Sequence, residues 1–213
     1  GADLQPEHWD QIADIALERG FIPFIDIAYQ GLGQGLDADA YGLRMMADRL
    51  PELLVASSCS KNFGLYRERT GSITLVAESA EQAKIVSTQS MSIARQIYSM
   101  PPAHGALLVS LILGDDQLRA NWQAELEEVR LRIKAMRTLL TDGINDNAAG
   151  MDFSHIKQQQ GMFSFLGITS DQLNRLRDEF AIYIVGSTRV NLAGINSTNI
   201  DYLTQSIRTV LDS

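Results

Sequence analysis

Lys61 stands in the segment Ser57-Ser58-Cys59-Ser60-Lys61-Asn62-Phe63-Gly64, directly after the apolar run Leu53-Leu54-Val55-Ala56. A run of that kind reads as a buried strand, and the serine-rich stretch after it as the loop at its end, where α/β proteins keep their ligands. There the lysine amine loses hydration, and the cations of Arg67 and Arg69 disfavour its ammonium form. Both effects draw it towards the neutral nucleophile, which forms a Schiff base with a carbonyl cofactor or substrate. Other reactive or charged side chains also stand near the ends of apolar stretches. Asp26 closes a second apolar run and is followed by Tyr29, while Arg95 comes just before Tyr98 and Pro101-Pro102. Arg189 lies within Ser187-Thr188-Arg189-Val190-Asn191.

The elements that must position these residues alternate. Trp9, Ile12, Ala13, Ile15 and Ala16 recur at helical spacing over 6–19, between Pro6 and Gly20. A strand is expected over 21–27, a helix over 38–49, strands over 53–56 and 71–77, and a helix over 80–98. That alternation implies a mainly parallel sheet covered by helices. After Pro101-Pro102 a short apolar helix follows, then one long amphipathic helix over 115–140 with Leu118, Trp122, Leu126, Val129, Ile133, Met136 and Leu140 on one face. Beyond a polar break at 142–150, strands at 162–166 and 182–191 and helices at 171–180 and 198–212 make a small α+β domain. The division is set at 1–120 and 121–213, with the long helix as the link.

Composition narrows the function classes. The 213 residues carry a formal net charge of -8, with 45% hydrophobic and 21% charged residues, which is globular composition. Lys and Arg are everywhere interleaved with acids, so a nucleic-acid partner is not expected. The longest apolar run, 106–113, is too short to span a bilayer. A single cysteine, Cys59, and three scattered histidines give neither a disulfide framework nor metal-ligand spacing, and fit a reducing, cytoplasmic setting.

The motifs together resemble the aspartate aminotransferase family, the fold type I, class I enzymes that depend on pyridoxal 5'-phosphate. The similarity rests on Asp26-Ile27-Ala28-Tyr29-Gln30-Gly31, Ser60-Lys61-Asn62-Phe63-Gly64-Leu65-Tyr66, Tyr98-Ser99-Met100-Pro101-Pro102-Ala103-His104-Gly105-Ala106, Gly161-Met162-Phe163-Ser164-Phe165 and Arg189-Val190-Asn191-Leu192-Ala193-Gly194. It runs in order over essentially the whole chain. The resemblance implies that Lys61 binds the cofactor covalently and shuttles the substrate Cα proton, and that Asp26 pairs with the pyridine nitrogen. It implies that Tyr29 donates to the cofactor's 3-oxygen and that Ser58 and Arg69 hold the phosphate. Arg189 is implied to bind the substrate α-carboxylate, and Arg95 to bind the distal carboxylate in a neighbouring subunit, which makes the active form a homodimer. Phe163 matches a residue lining the site. Substrates would be L-amino acids and 2-oxo acids, dicarboxylates first and aromatic substrates second.

The sequence departs from the family pattern at Cys59, Arg67 and Met100, where an aromatic residue, an Asn and an Asn are usual. The family's Asn-Pro-x-Gly motif would end at Gly1, so the chain reads as the C-terminal half of an aminotransferase. As such it is expected to bind cofactor weakly by itself and to self-associate or need the missing N-terminal segment. Two other readings compete. Ser58-x-x-Lys61 also fits the Ser-x-x-Lys signature of penicillin-binding proteins, but the Lys-Thr-Gly those proteins need is absent and Ser170-Asp171-Gln172 ends wrongly. The other is an interaction or dimerisation module that binds no cofactor.

Overall fold

Pro6 occupies the first turn of helix α1 (Pro6–Arg19), where its missing N–H costs nothing, and Gly20 ends the helix at φ 67. The computed structural model describes residues 3–147 and 149–212, so Gly1, where the family motif was expected to end, lies outside the described residues. Two compact units emerge, one over Leu4–Glu127 and one over 128–212 with Asp3, and the division falls after Glu127.

In the first unit α1 packs on α2 (Tyr41–Arg49), which follows a short 3-10 turn at Ala38–Ala40. A Cβ at Gly42 would stand 2.2 Å from the Trp9 indole, so glycine is what lets the two helices meet. Arg49 then ties them at their rim, to Asp10 at 2.9 Å and Asp14 at 2.5 Å. Beneath lies a small core of Ala13, Ala16, Met46, Leu50, Leu53 and Val55.

That core rests on a three-stranded sheet in the order β1 (Phe24–Ile27), β2 (Leu53–Ser58), β3 (Gly71–Val76). β1 and β2 are parallel, with Asp26 level with Ala56, whereas β3 returns antiparallel with Gly71 opposite Ser58. The expectation of a mainly parallel sheet is thus corrected to a mixed one. A parallel return needs a crossover, usually a helix, and the segment 59–70 contains only turns. Helices α1 and α2 cover one face of the sheet, while the other is open among the described residues: Phe24 and Ile73 are 64% and 61% exposed, and α3 (Ala80–Tyr98) buries no residue. Helix α4 (His104–Gly114) follows the Pro-Pro break, with Leu107 and Leu111 exposed.

Helix α5 (Asp116–Asn145) continues into the expected polar break at 142–150 and ends within it. Ile144 is fully buried, and a Cβ at Gly143 would meet the Thr204 side chain at 2.5 Å, so tertiary packing extends the helix past its amphipathic run. In the second unit α5 is joined by α6 (His155–Gln158), α7 (Ser170–Phe180) and α8 (Ile200–Leu211), and by a two-stranded antiparallel ribbon of β4 (Phe163–Phe165) and β5 (Arg189–Asn191). Their core includes Leu140, Ile144, Phe153, Ile156, Leu166, Leu176, Leu192 and Ile207. The strand expected over 182–191 shrinks to 189–191. Ile182 and Ile184 do pack against this core, but they do so outside a ladder, and the Thr188 N–H donates to the Val185 carbonyl at 2.8 Å in a turn.

Candidate active site

Strand direction decides which side chains share an edge. Because β1 and β2 are parallel, both leave the sheet on the same side, β1 through Asp26 to Tyr29 and β2 through Ser58 to Lys61. Because β3 is antiparallel, its start also lies there, and the Cys59 N–H donates to the Thr70 carbonyl at 3.0 Å, which brings Arg69 to the same edge. Asp26, Tyr29, Ser58, Lys61 and Arg69, scattered over more than forty residues of sequence, are gathered by one sheet register.

Lys61 is half-buried, and its Nζ lies 4.7 Å from the centroid of the Tyr29 ring, within the range where a ring face attracts an ammonium. Its loop is held from both sides. Asn62 Nδ2 donates to the Gln30 carbonyl at 3.2 Å, which links the two strand exits. Trp122 Nε1 donates to the Asn62 carbonyl at 2.8 Å, and Phe63 stacks on the Trp122 ring at 4.4 Å and 11°. Gly31 sits at φ 91 and a Cβ there would meet Leu126 at 2.5 Å, so the β1 exit passes close under α5. Asp39 then caps that exit, accepting from the N–H groups of Gly31, Gly33 and Gln34 at 2.8, 3.0 and 2.7 Å. Sequence reasoning passed over Asn62, Trp122 and Asp39 as site-building residues. The signal was available for Trp122, an indole in an otherwise aliphatic stripe, whereas Asp39 looks like any acid near a helix start.

The remaining members are more open. Ser58 Oγ donates to Ser60 Oγ at 3.0 Å and accepts from the Ser60 N–H at 3.2 Å. Arg69 adopts φ 51, uncommon for a residue with a Cβ, and donates to the Tyr66 carbonyl at 3.0 Å while its side chain stays exposed. Asp26 is exposed on β1. Burial pushes the half-buried Cys59 thiol up, away from the reactive thiolate. An amine, a phenol, a carboxylate, a hydroxyl and a guanidinium at one edge suit a phosphorylated carbonyl compound: the amine for its carbonyl, the last two for its phosphate.

Arg95 and Arg189 lie on other elements, α3 and β5. Arg95 lies in the last turn of α3, exposed, and meets no acid among the described residues, so it is not the surface ion pair that a helical arginine usually makes. Arg189 opens β5, opposite Phe165, and its guanidinium lies 4.6 Å from the centroid of the Phe163 ring. Phe163 is therefore half-buried under a cation rather than sunk in the core. Among the described residues no group of His, Cys, Asp and Glu is arranged to hold a metal ion, and no helix is long and apolar enough to cross a membrane.

Comparison with known proteins gives the family and the fold. The family model for aminotransferase class I and II matches residues 1–207. An aspartate aminotransferase of Haemophilus influenzae is 53% identical over 211 residues, covering 99% of this chain and 53% of the relative. An aromatic-amino-acid aminotransferase of Pseudomonas aeruginosa is 44% identical over 210 residues, again 99% of this chain and 53% of the relative. The crystal structure of an aromatic-amino-acid aminotransferase from Burkholderia pseudomallei, covalently bound to pyridoxal phosphate, superposes with a TM-score of 0.95 at 41% identity, over 99% of this chain and 53% of that one. The chain spans about half the length of the curated relatives it matches. With the family model covering nearly every residue, the chain belongs to the class I and II aminotransferases.

Proposed function

We propose that this chain forms the lysine-bearing half of a pyridoxal-phosphate-dependent aminotransferase, which exchanges an amino group between an L-amino acid and a 2-oxo acid. The observation that carries the reading is the convergence of Lys61, Tyr29, Asp26, Ser58 and Arg69 on one sheet edge. The donor set fits the cofactor's chemistry group by group. Lys61 supplies the amine for its aldehyde, Asp26 the carboxylate for a protonated ring nitrogen, and Tyr29 the hydroxyl for the 3-oxygen. Ser58 and Arg69 supply a hydroxyl and a guanidinium for the phosphate. When bound, pyridoxal phosphate supplies the electron sink that makes a proton on the substrate Cα removable.

The chain's own residues do the rest. Lys61 takes the Cα proton and returns one, so its loop must hold the amine steady, a task that suits Asn62, Phe63 and Trp122. Arg189 binds the α-carboxylate with its planar guanidinium fork. Arg95, exposed and unmatched by an acid, suits a distal carboxylate in a neighbouring subunit, so we read the active form as a homodimer selecting aspartate and glutamate over aromatic substrates. Residues 1–120 then serve as half of the large cofactor domain and 121–213 as the linking helix and small domain. The lone Cys59 suits a reducing, cytoplasmic setting.

The test is turnover in the active protein. Lys61→Ala abolishes steady transamination, while near-normal turnover in that variant removes the central assignment. A second reading, an interaction module without cofactor, draws on the exposed apolar side chains of α3 and α4. Cofactor absorption that stays with the protein after desalting and is lost in Lys61→Ala separates the two, because only the enzyme reading requires it.

A further inference from the structure

Two arginines of α5 reach the same end of the β4–β5 ribbon, where Phe163 lies opposite Asn191, one on each strand. Arg137 is only 3% exposed. Its Nη1 donates to the Ile156 carbonyl at 3.0 Å and to Ser164 Oγ, and its Nη2 donates to the Gly161 carbonyl at 2.7 Å. These contacts lie before and within β4. Arg132 donates Nη1 to the Ile195 carbonyl and Nη2 to the Ala193 carbonyl, each at 3.0 Å, just beyond β5. Beyond these two grips the ribbon has little of its own. The strands are three residues each, and the Leu192 N–H adds a bond to the Met162 carbonyl at 2.7 Å. Thr188, immediately before Arg189, sits at φ 63, which is strained for a β-branched residue and persists only where the surroundings over-determine it.

Arg137 is also costly where it stands. It lies on the apolar face of α5 between Ile133 and Leu140, and burial pushes its pKa down, with the charge of Asp3 opposing. Apolar residues of similar volume often replace buried charges with no loss of stability. A guanidinium at this position is therefore explained by what its donors hold rather than by packing. What they hold is the ribbon whose Phe163 ring lies 4.6 Å from the Arg189 guanidinium.

We propose that Arg132 and Arg137 are positioning residues that clamp both strands of the β4–β5 ribbon at its Phe163–Asn191 end, keep Arg189 over Phe163 and so set its aim at a substrate carboxylate. The functional part rests on the reading of Arg189 as the α-carboxylate grip.

The test compares Arg132→Met, Arg137→Met and Arg137→Lys, with Arg189→Met as reference, in the protein that transaminates. Arg132 is exposed, so its methionine variant keeps the fold even if burying methionine at 137 does not. Amide exchange in peptides over 161–166 and 188–195 should rise about tenfold in Arg132→Met, with peptides over 170–180 unchanged. The KM for the 2-oxo acid should rise about tenfold with kcat within about twofold, and Arg137→Lys should recover part of what Arg137→Met loses. Unchanged ribbon exchange in a folded Arg132→Met protein overturns the proposal, as does an equal rise over 170–180. A loosened ribbon with unchanged KM refutes the positioning role. If Arg189→Met itself leaves KM unchanged, the carboxylate assignment falls and exchange alone decides whether the arginines hold the ribbon.

Discussion

The two compact units hold Arg189 and Lys61, the arginine and lysine of the proposed site, in opposite ways. In 128–212 the ribbon bearing Arg189 lies on a closed core, with Phe153, Ile156, Leu166, Leu176 and Ile207 almost wholly buried. In 4–127 the Lys61 loop rests on a small core at one face of a three-stranded sheet. There Ile73, Ile97, Met100 and Leu107 are 61%, 72%, 79% and 65% exposed. Large apolar side chains exposed to that degree are of the kind that other protein normally covers. Arg189 is thus supported by global packing and Lys61 by local ties: the Asn62 bridge, the Trp122 hydrogen bond and the Phe63 stack.

The sharpest way to break that contrast is by truncation on each side. Leu140→Ala in the closed core should cost about 2–5 kcal/mol in urea unfolding, because the cavity cannot be refilled. Ile97→Ala on α3 should lie within about 0.5 kcal/mol of the parent chain, as surface changes do. Equal costs would show that the α3 face is buried in solution. Cys59 reports on the local side: with burial raising its pKa, less thiolate is present at a given pH. Its alkylation by iodoacetamide should therefore lag behind a free thiol near pH 8 and catch up as the pH rises. A rate equal to the free thiol at pH 8 would mean the loop is open.

Smaller effects sharpen the same comparison. Trp122→Phe keeps a ring for Phe63 but removes the donor to the Asn62 carbonyl, and should cost about 1 kcal/mol in urea unfolding. A neutral result would leave the stack alone as the support of the Lys61 loop. In the closed unit, Ala181 ends α7 in the left-handed region at φ 52. Ala181→Gly should raise stability by about 0.5–1 kcal/mol, and a loss there would place that helix end elsewhere.

Much of this arrangement is legible in the chain, and the residues show why. Pro6 and Gly20 mark both ends of α1, and the apolar runs before Ser58 and Asp26 place both at strand ends, as the register has them. Strand direction is not written in alternation, so β3 turns out antiparallel through a connection too poor in helix to cross over. Ile182 and Ile184 alternate as a strand would but pack without a ladder partner. The grips of Arg132 and Arg137 were also hidden, since their acceptors are backbone carbonyls that no side-chain pattern reveals. Arg137 did leave one trace, a charge on the apolar stripe of α5.

The most direct measurement uses the lysines themselves. The chain has four, Lys61, Lys84, Lys134 and Lys157. Incubation with saturating pyridoxal phosphate, reduction with borohydride and peptide mapping should place the retained mass on Lys61, and Lys61→Ala should lose it. Labelling spread evenly over Lys84, Lys134 and Lys157, with Lys61 unmodified, would contradict the assignment of this sheet edge as the cofactor site.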